Sequence, residues 1–285
     1  MSAFISVENL GLVRRGKDIL KNINLNIRKG STLAILGPNG AGKSTLLELL
    51  LADFKPSSGS INYGFNKRKV FKNHVGVVYN NQHIFPQLYI YELMDFYKSL
   101  YRSDGQYLDQ LIKLFDLERL KHSFIYELSS GEKKKLSIAL ALFHNPQLMV
   151  MDEPFANVDI TIIPEIWEEI KKAEATTILA THDWSFAEKY ADEILFLDHG
   201  QMLCEPFVPS EKNNILSAQK KLVMQRNEEL VKKLPENNYY EKDEELNILL
   251  TPNVNLKQIK KFTFNYSILD ISVKDVFYYL SLSKR

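Results

Sequence analysis

One stretch, residues 31–52, constrains the fold of this 285-residue chain more than any other. It reads STLAILGPNGAGKSTLLELLLA, an apolar run typical of a buried strand, then the pattern G-x-x-x-x-G-K-[ST], then an apolar helix. Gly40 and Gly42 lack Cβ atoms, so backbone N–H groups can turn inward around phosphate oxygens, and the following helix adds the positive end of its dipole. This context predicts a nucleotide-binding loop rather than a turn that only links strand to helix.

Two side chains at the end of the loop have chemistry suited to a nucleotide and its cation. Lys43 is predicted to reach the β- and γ-phosphates, and the Ser44 hydroxyl is predicted to lie on Mg²⁺. A nucleotide with a γ-phosphate and Mg²⁺ is therefore expected at this loop. The residues predicted to bind the nucleotide in this loop are Gly37, Pro38, Asn39, Gly40, Ala41, Gly42, Lys43, Ser44 and Thr45.

Composition narrows the class of protein. The formal net charge is +1, and 45% of the residues are hydrophobic and 25% charged, which is typical of a globular protein and gives no overall attraction to nucleic acid. A single cysteine, Cys204, excludes a disulfide within the chain and suits the cytosol. The N-terminus lacks a signal-peptide pattern, and no apolar run reaches the ~18 residues that a membrane-spanning helix needs. We therefore expect any membrane role to depend on another chain.

Periodicity predicts a mixed α/β chain. Alternating or continuous apolar runs predict strands at residues 4–12, 19–27, 60–63 and 75–79. Apolar residues recur at three- and four-residue spacing in residues 90–100 and 107–120, which predicts two amphipathic helices inserted between strands.

A third helix is predicted from about residue 133 to residue 144, after the sequence LSSGE. Ser129 or Ser130 would cap this helix, and Glu132 would complement its N-terminal dipole. The lysines at 133–135 are predicted to form its solvated face.

Two carboxylates follow the apolar run LMVM. A buried strand that ends in Asp152 and Glu153 places them at the carboxyl edge of the sheet, where α/β folds bind ligands. Asp152 would hold Mg²⁺, and Glu153 would polarise a water for attack on the γ-phosphate. His182 ends another predicted strand, residues 177–180, and is a candidate γ-phosphate sensor. The last strand of this core is predicted at residues 193–197.

The sequences GPNGAGKST, LSSGE, LMVMDEP, ANVD and ATHD occur in this order across residues 4–206. They resemble the Walker A, signature, Walker B, D-loop and H-loop motifs of an ATP-binding cassette (ABC) ATPase. The resemblance implies an α/β fold with a P-loop NTPase core, an antiparallel β subdomain and an α-helical subdomain that carries the signature. It implies ATP and Mg²⁺ as the cofactors. It also implies that Lys43, Glu153 and His182 act in hydrolysis, and that the signature acts on the nucleotide of a second subunit. The implied signature and D-loop residues are Ser129, Ser130, Gly131, Glu132 and Asp159.

Three positions depart from the family pattern. The Q-loop glutamine, a nucleotide and metal ligand in the family, falls on Asn80, whereas Gln82 lies two residues later, and either residue could serve. Ser130 replaces a glycine of the signature. The aromatic residue that stacks on adenine falls near Arg14, whose guanidinium could stack on the base or remain free at the surface.

The chain changes character after residue 206, so we predict an ATP-binding domain at residues 1–206 and a small C-terminal α/β extension at residues 207–285. In this extension, residues 210–234 are predicted as helix, and residues 246–250 and 262–266 as strands. The ending ISVKDVFYYL resembles that of ABC drug and polysaccharide exporter ATPases, although a packed amphipathic helix would look similar.

These patterns predict the ATP-hydrolysing subunit of a membrane ABC transporter, of the exporter kind. It would act as a homodimer or heterodimer of ATPase subunits, in the cytoplasm on the inner face of the cell membrane, through an integral-membrane permease subunit. No nucleic-acid partner is expected. The alternative is a soluble ABC ATPase that acts in translation or DNA repair. The candidate contacts with the permease are the aromatic residues Phe85, Tyr89, Tyr91 and Phe96, for which core packing is the competing explanation.

Overall fold

The computed structural model describes residues 4–66, 74–80, 85–235, 238–252, 254, 256–259, 262–263 and 265–283. The strands are β1 (Ile5–Arg14), β2 (Lys17–Ile27), β3 (Thr32–Leu36), β4 (Ser58–Tyr63), β5 (Val75–Val78), β6 (Leu148–Asp152), β7 (Thr176–Thr181), β8 (Glu193–Asp198), β9 (Gln201–Met202), β10 (Lys220–Gln225), β11 (Tyr239–Lys242), β12 (Glu245–Leu249) and β13 (Tyr266–Asp270). The α-helices are α1 (Lys43–Leu50), α2 (Ile90–Tyr101), α3 (Gln106–Leu114), α4 (Ser130–Leu142), α5 (Ile163–Lys172), α6 (Trp184–Tyr190), α7 (Lys212–Leu216), α8 (Glu228–Val231), α9 (Leu256–Ile259) and α10 (Val273–Ser283).

The central sheet brings the predicted site residues to one edge. Its strand order is β5-β6-β7-β3-β8-β9, and every neighbouring pair except β8-β9 is parallel. All five residues of β3 are buried, as expected for a parallel strand covered on both faces. Because parallel strands share one carboxyl edge, the phosphate loop after β3, the acids at the end of β6 and His182 after β7 meet there.

The antiparallel subdomain is confirmed. It consists of β2, β1 and β4, in that order. The β1–β2 turn uses Arg15 and Gly16, both with positive φ (50° and 73°), which matches the twist of a tight hairpin. Apolar side chains from β1 and β2 share a buried cluster with α1, so this sheet supports the helix that follows the phosphate loop.

The helical region differs from its prediction in two places. The helix predicted at residues 107–120 ends at Leu114, because Asp116 takes a left-handed conformation (φ 54°) and only a 3-10 turn follows at Glu118–Leu120. Helix α4 begins at Ser130 and not near residue 133, because the Ser129 side chain caps it by accepting a hydrogen bond from the Glu132 N–H.

The C-terminal region contains a four-stranded antiparallel sheet of order β11-β12-β10-β13. The helix predicted at 210–234 is interrupted: only α7 and α8 are α-helical there, and β10 lies between them, with Leu222 and Met224 alternating with more exposed residues and strands paired on both sides. The strand predicted at 262–266 is wrong, since pairing with β10 starts only at Tyr266. The prediction at 246–250 corresponds to β12.

The C-terminal sheet is fastened to the central domain through α10. Phe277 of this helix lies 5.0 Å from Trp184 and 5.6 Å from Phe196, measured between ring centroids. The Glu188 carboxylate of α6 accepts a hydrogen bond from the Val273 N–H (3.1 Å) and pairs with Lys212 (2.7 Å). The ending ISVKDVFYYL therefore has a packing role in this chain.

Candidate nucleotide site

The phosphate loop forms one wall of a cavity of about 350 Å³ at the carboxyl edge of the central sheet. Two of its glycines are required by geometry. Gly42 has φ 103°, which side-chain-bearing residues rarely adopt, and a Cβ at Gly37 would lie 2.0 Å from the Leu197 carbonyl oxygen. The cavity is lined by Ile19, Asn39, Gly40, Gly42, Lys43, Ser44, Thr45, Asn80, Asp152 and Glu153.

Lys43 spans the loop. Its Nζ donates to the carbonyl oxygens of Gly37 (2.8 Å) and Pro38 (3.1 Å), and the residue is only 7% exposed. Burial lowers the pKa of Lys43, while the nearby carboxylates of Glu153 and Asp152 oppose that shift. A buried ammonium group whose hydrogen-bond acceptors are neutral carbonyls is suited to take an anionic phosphate as its partner.

Ser44 and Asp152 form a hydroxyl–carboxylate pair beside the loop. The Ser44 Oγ donates to Asp152 Oδ2 at 2.7 Å. Burial raises the pKa of the Asp152 carboxyl, and the charge of Glu153 adds to this, whereas the Ser44 hydrogen bond lowers it. A neighbouring cation would relieve the cost of this buried charge.

Glu153 is held in a strained backbone position. Its φ is 47°, and its N–H donates to the Ala180 carbonyl oxygen at 2.9 Å. Its Oε1 lies 2.9 Å from His182 Nδ1, and its Oε2 accepts from the Thr181 hydroxyl at 3.3 Å. The structure thus brings Glu153 and His182 together as predicted, and adds Thr181, which the sequence analysis did not single out.

Lys134 is the other residue that the sequence analysis missed. It was predicted to be solvated with its neighbours, but it is 7% exposed, and its Nζ donates to the carbonyl oxygens of Tyr79 (2.9 Å) and Asp152 (3.2 Å). Burial lowers the pKa of Lys134, opposed by Asp152 and Glu153. A signal was present, because Ile138 and Ala141, four and seven residues later, place it on the apolar face of α4.

The residues fit ATP with Mg²⁺. The loop supplies a cradle too tight for a Cβ at Gly37, with a buried lysine across it, and a hydroxyl–carboxylate pair adjoins it. Among the described residues, no group of three or more His, Cys, Asp or Glu side chains could hold a metal ion. A cation at Ser44 and Asp152 would therefore take further oxygen ligands from phosphate and water.

Comparison with known proteins agrees with this chemistry. The family profile described as ABC transporter matches residues 20–156. The probable sulfate/thiosulfate import ATP-binding protein CysA of Chlorella vulgaris is 32% identical over 210 residues, which cover 70% of this chain and 89% of that protein. The arginine transport ATP-binding protein ArtM of Bacillus subtilis is 31% identical, over 73% of this chain and 92% of that protein.

The chain belongs to the ATP-binding proteins of the ABC transporter family. A dimeric structure of an ATP-binding cassette in a post-hydrolysis state, bound to ADP and Pi, shares its fold, with a TM-score of 0.62 and 25% identity over 72% of this chain and 98% of that one. The chain is therefore an ATP-hydrolysing subunit of an ABC transporter, and the predicted fold class is confirmed.

The predicted signature lies at the N-cap and first turn of α4. The Glu132 carboxylate accepts hydrogen bonds from the Ser129 N–H (2.9 Å) and hydroxyl (2.8 Å), which lower the pKa of Glu132, and Arg119 lies 3.2 Å from it. Ser130, which replaces a family glycine, is exposed. A Cβ at Gly131 would lie 2.3 Å from the Asn157 carbonyl oxygen, so this glycine allows close contact between the predicted signature and the predicted D-loop of the same chain. The D-loop Asp159 accepts hydrogen bonds from the Thr161 N–H and hydroxyl.

The remaining departures from the ABC pattern have different outcomes. Asn80 lines the cavity, as its predicted Q-loop role requires, whereas Gln82 lies outside the described residues. The Arg14 guanidinium stacks on the Phe54 ring, 4.1 Å from its centroid, so it is not a free surface arginine. Its contact with adenine stays a prediction.

Proposed function

We propose that two ATPase subunits sandwich ATP between the phosphate loop of one and the signature of the other, and that hydrolysis drives transport through a separate membrane-spanning partner. In this proposal Lys43 holds the phosphates, Ser44 and Asp152 hold Mg²⁺, Glu153 polarises the attacking water, and His182 contacts the γ-phosphate. The observation that carries it is the Ser44–Asp152 pair (2.7 Å) placed beside the Glu153–His182 pair (2.9 Å) at one sheet edge.

The need for a second subunit follows from where the signature lies. None of the residues 129–132 is among those lining the cavity, and Ser129 and Ser130 are exposed. The solved relative described above is dimeric, which supports the arrangement. The proposed dimer is a homodimer or a heterodimer of ATPase subunits, and the mass of the native complex distinguishes the two.

The base assignment is tested with Glu153→Gln. This variant should bind ATP normally, lose most hydrolysis, and accumulate as an ATP-bound dimer in size-exclusion chromatography with light scattering, because the carboxylate is lost while Lys43 and Asp152 remain. Glu174→Gln is the matched control, since Glu174 is exposed and has a similar positive φ (50°, against 47° at Glu153). Parental hydrolysis by Glu153→Gln would refute the assignment.

A cleft beside the helical region supports docking of a membrane partner. Its volume is about 320 Å³, and its walls include Val77 of β5, Phe85, and Tyr97 and Tyr101 of α2. Phe85 and Phe96 are 57% and 49% exposed and lie 6.1 Å apart. Tyr89 is half-buried and stacks on Phe124 at 4.0 Å, so it is the weakest of the predicted contacts.

Fractionation of cells tests this surface. The double variant Phe85→Ala with Phe96→Ala should lose membrane association and keep basal ATPase activity. The control is Ile268→Ala with Leu269→Ala, which removes two similarly exposed apolar side chains (43% and 49%) from the C-terminal sheet. A wild-type pool that sediments with ribosomes or nucleoid would refute the proposed docking to a membrane partner.

The direction of transport and the domain division remain part of the proposal. Export is predicted from the C-terminal pattern, whereas the two curated relatives are named as import or transport ATP-binding proteins, which makes import the second candidate. We retain the proposed division at residue 206. Among the described residues no helix combines the length and apolar character needed to cross a bilayer.

A further inference from the structure

Lys134 connects the signature helix to the catalytic strand ends. It lies in the second turn of α4, and its Nζ donates to the Tyr79 and Asp152 carbonyl oxygens at 2.9 and 3.2 Å. These two carbonyls immediately precede Asn80 and Glu153 in the chain. One ammonium group therefore spans the ends of β5 and β6.

The connection is specific to this lysine. Lys133 reaches only the Tyr126 carbonyl oxygen, at 3.4 Å, within the helical region itself. Lys134 is 7% exposed, whereas Lys133 and Lys135 are half-buried. Burying a charge is costly unless other charges or dipoles compensate, and here two carbonyl dipoles and the nearby Asp152 and Glu153 carboxylates do so.

The two ends of this connection face different nucleotides in a sandwich dimer. The first turn of α4 carries the signature, which contacts the ATP of the other subunit, while Lys134 contacts the strand ends of its own subunit. A shift of α4 on engaging one ATP must move Lys134 relative to the Glu153 backbone or break its hydrogen bonds. A displacement near 1 Å is enough to change a catalytic rate by about a hundredfold.

We propose that Lys134 is a positioning residue that couples the two ATP sites of the dimer, because it sets the position of Glu153 according to the position of the signature helix. This inference rests on the dimer and on the role of Glu153 proposed above. It assigns Lys134 no contact with the nucleotide.

The experiment compares Lys134→Met, Lys134→Gln and Lys133→Met in the full-length dimer. Lys134→Met removes the charge and both hydrogen bonds, so kcat should fall about 10- to 100-fold. The KM for ATP should stay within about twofold, since Lys43 and Ser44 are untouched. The Hill coefficient for ATP should fall toward 1, because the connection between sites is lost.

Lys134→Gln keeps an N–H donor and should recover part of both kcat and cooperativity, whereas Lys133→Met should match the parent. A role in folding alone would lower the melting temperature without selective loss of kcat and would not be rescued by glutamine. If Lys134→Met does not fold, the test rests on Lys134→Gln. A parental kcat and Hill coefficient in Lys134→Gln would overturn the proposal, and an intermediate loss of both would support it.

Glu153→Gln in parallel separates the two hypotheses. Parental hydrolysis by Glu153→Gln would remove the assumed base, and with it the function proposed for Lys134. Loss of hydrolysis by Glu153→Gln together with parental kcat and cooperativity in Lys134→Met would refute the role of Lys134 alone.

Discussion

Asp152 and Asp275 are both largely enclosed aspartates near lysines, and their surroundings differ in kind. Asp275, 4% exposed, accepts hydrogen bonds from Lys221 (2.6 Å), Tyr240 (2.5 Å), and the Ser272 N–H and hydroxyl (2.7 Å each). Asp152 accepts one from Ser44, while the lysines beside it donate to backbone carbonyls.

The pKa directions of the two carboxyls follow from this difference. Burial raises the pKa of both, but at Asp275 the hydrogen bonds from Lys221, Tyr240 and Ser272 outweigh it and leave the pKa lowered. At Asp152 the pKa stays raised. The Asp275 carboxylate has several hydrogen-bond donors within the fold, which suits a role in stability, whereas Asp152 accepts a hydrogen bond, among the described residues, from Ser44 alone, which suits the cation-binding role proposed for it.

The largest effect on activity is expected from substitution of Asp152, at the nucleotide site. Asp152→Asn should lower ATP hydrolysis at least about a hundredfold, because it weakens the proposed Mg²⁺ site. It should leave the free energy of unfolding unchanged or raise it, since ionising a carboxyl of raised pKa costs folding energy at neutral pH. Steady-state ATPase assays and urea unfolding measure both. A destabilised variant with parental activity would reverse the comparison.

Substitution of Asp275, in the C-terminal region, should have the opposite effect, lowering stability and leaving activity nearly unchanged. Asp275→Asn leaves the buried Lys221 charge without its partner and should cost about 3–5 kcal/mol of local stability. The protection of β10 and β12 amides against hydrogen exchange measures this loss of stability. The kcat should change less than about twofold, because α10 contributes none of the cavity-lining residues. Asp270→Asn, at an exposed end of β13, is the control. Unchanged hydrogen exchange at β10 in Asp275→Asn would show that the hydrogen bonds of Asp275 add no stability.

The pH dependence of stability also tests the contribution of Asp275. Because Asp275 has a lowered pKa in the folded state, its stabilisation is fully present above its unfolded pKa of about 3.9 and is lost as the pH falls through the folded value. Urea midpoints measured from pH 6 downward should therefore drop more steeply in the parent than in Asp275→Asn. Parallel pH profiles would contradict this linkage.

The smallest effects are expected at the Q-loop. Asn80 lines the cavity, so Asn80→Gln, which restores the longer family side chain, should maintain or raise kcat by no more than about threefold. Gln82→Ala should change kcat less than about twofold. A large loss from Gln82→Ala with no effect at Asn80 would show that Gln82 fills the Q-loop role.

The positions of residues that follow a local sequence pattern were predictable from the sequence, while their catalytic roles stay predictions. The phosphate loop, Asp152, Glu153 and His182 each follow an apolar strand, and parallel pairing brings strand ends together. Lys134 was missed because a run of three lysines indicates solvent, and only packing of α4 against β5 buries the middle one. Strand β10 was missed because its two partners are distant in sequence, and pairing with them overrides a helix-like charge pattern.

The close approach of Gly131 to the Asn157 carbonyl gives this protein a natural reporter position. Since the backbone of the predicted signature lies against the backbone of the predicted D-loop, we expect a movement of one to displace the other. Ile160, in the same loop, is 79% exposed, and the chain has only one cysteine, Cys204, which is partly buried. A fluorophore on Ile160→Cys would therefore follow the closing of the signature on ATP in single molecules while leaving the signature itself unmodified.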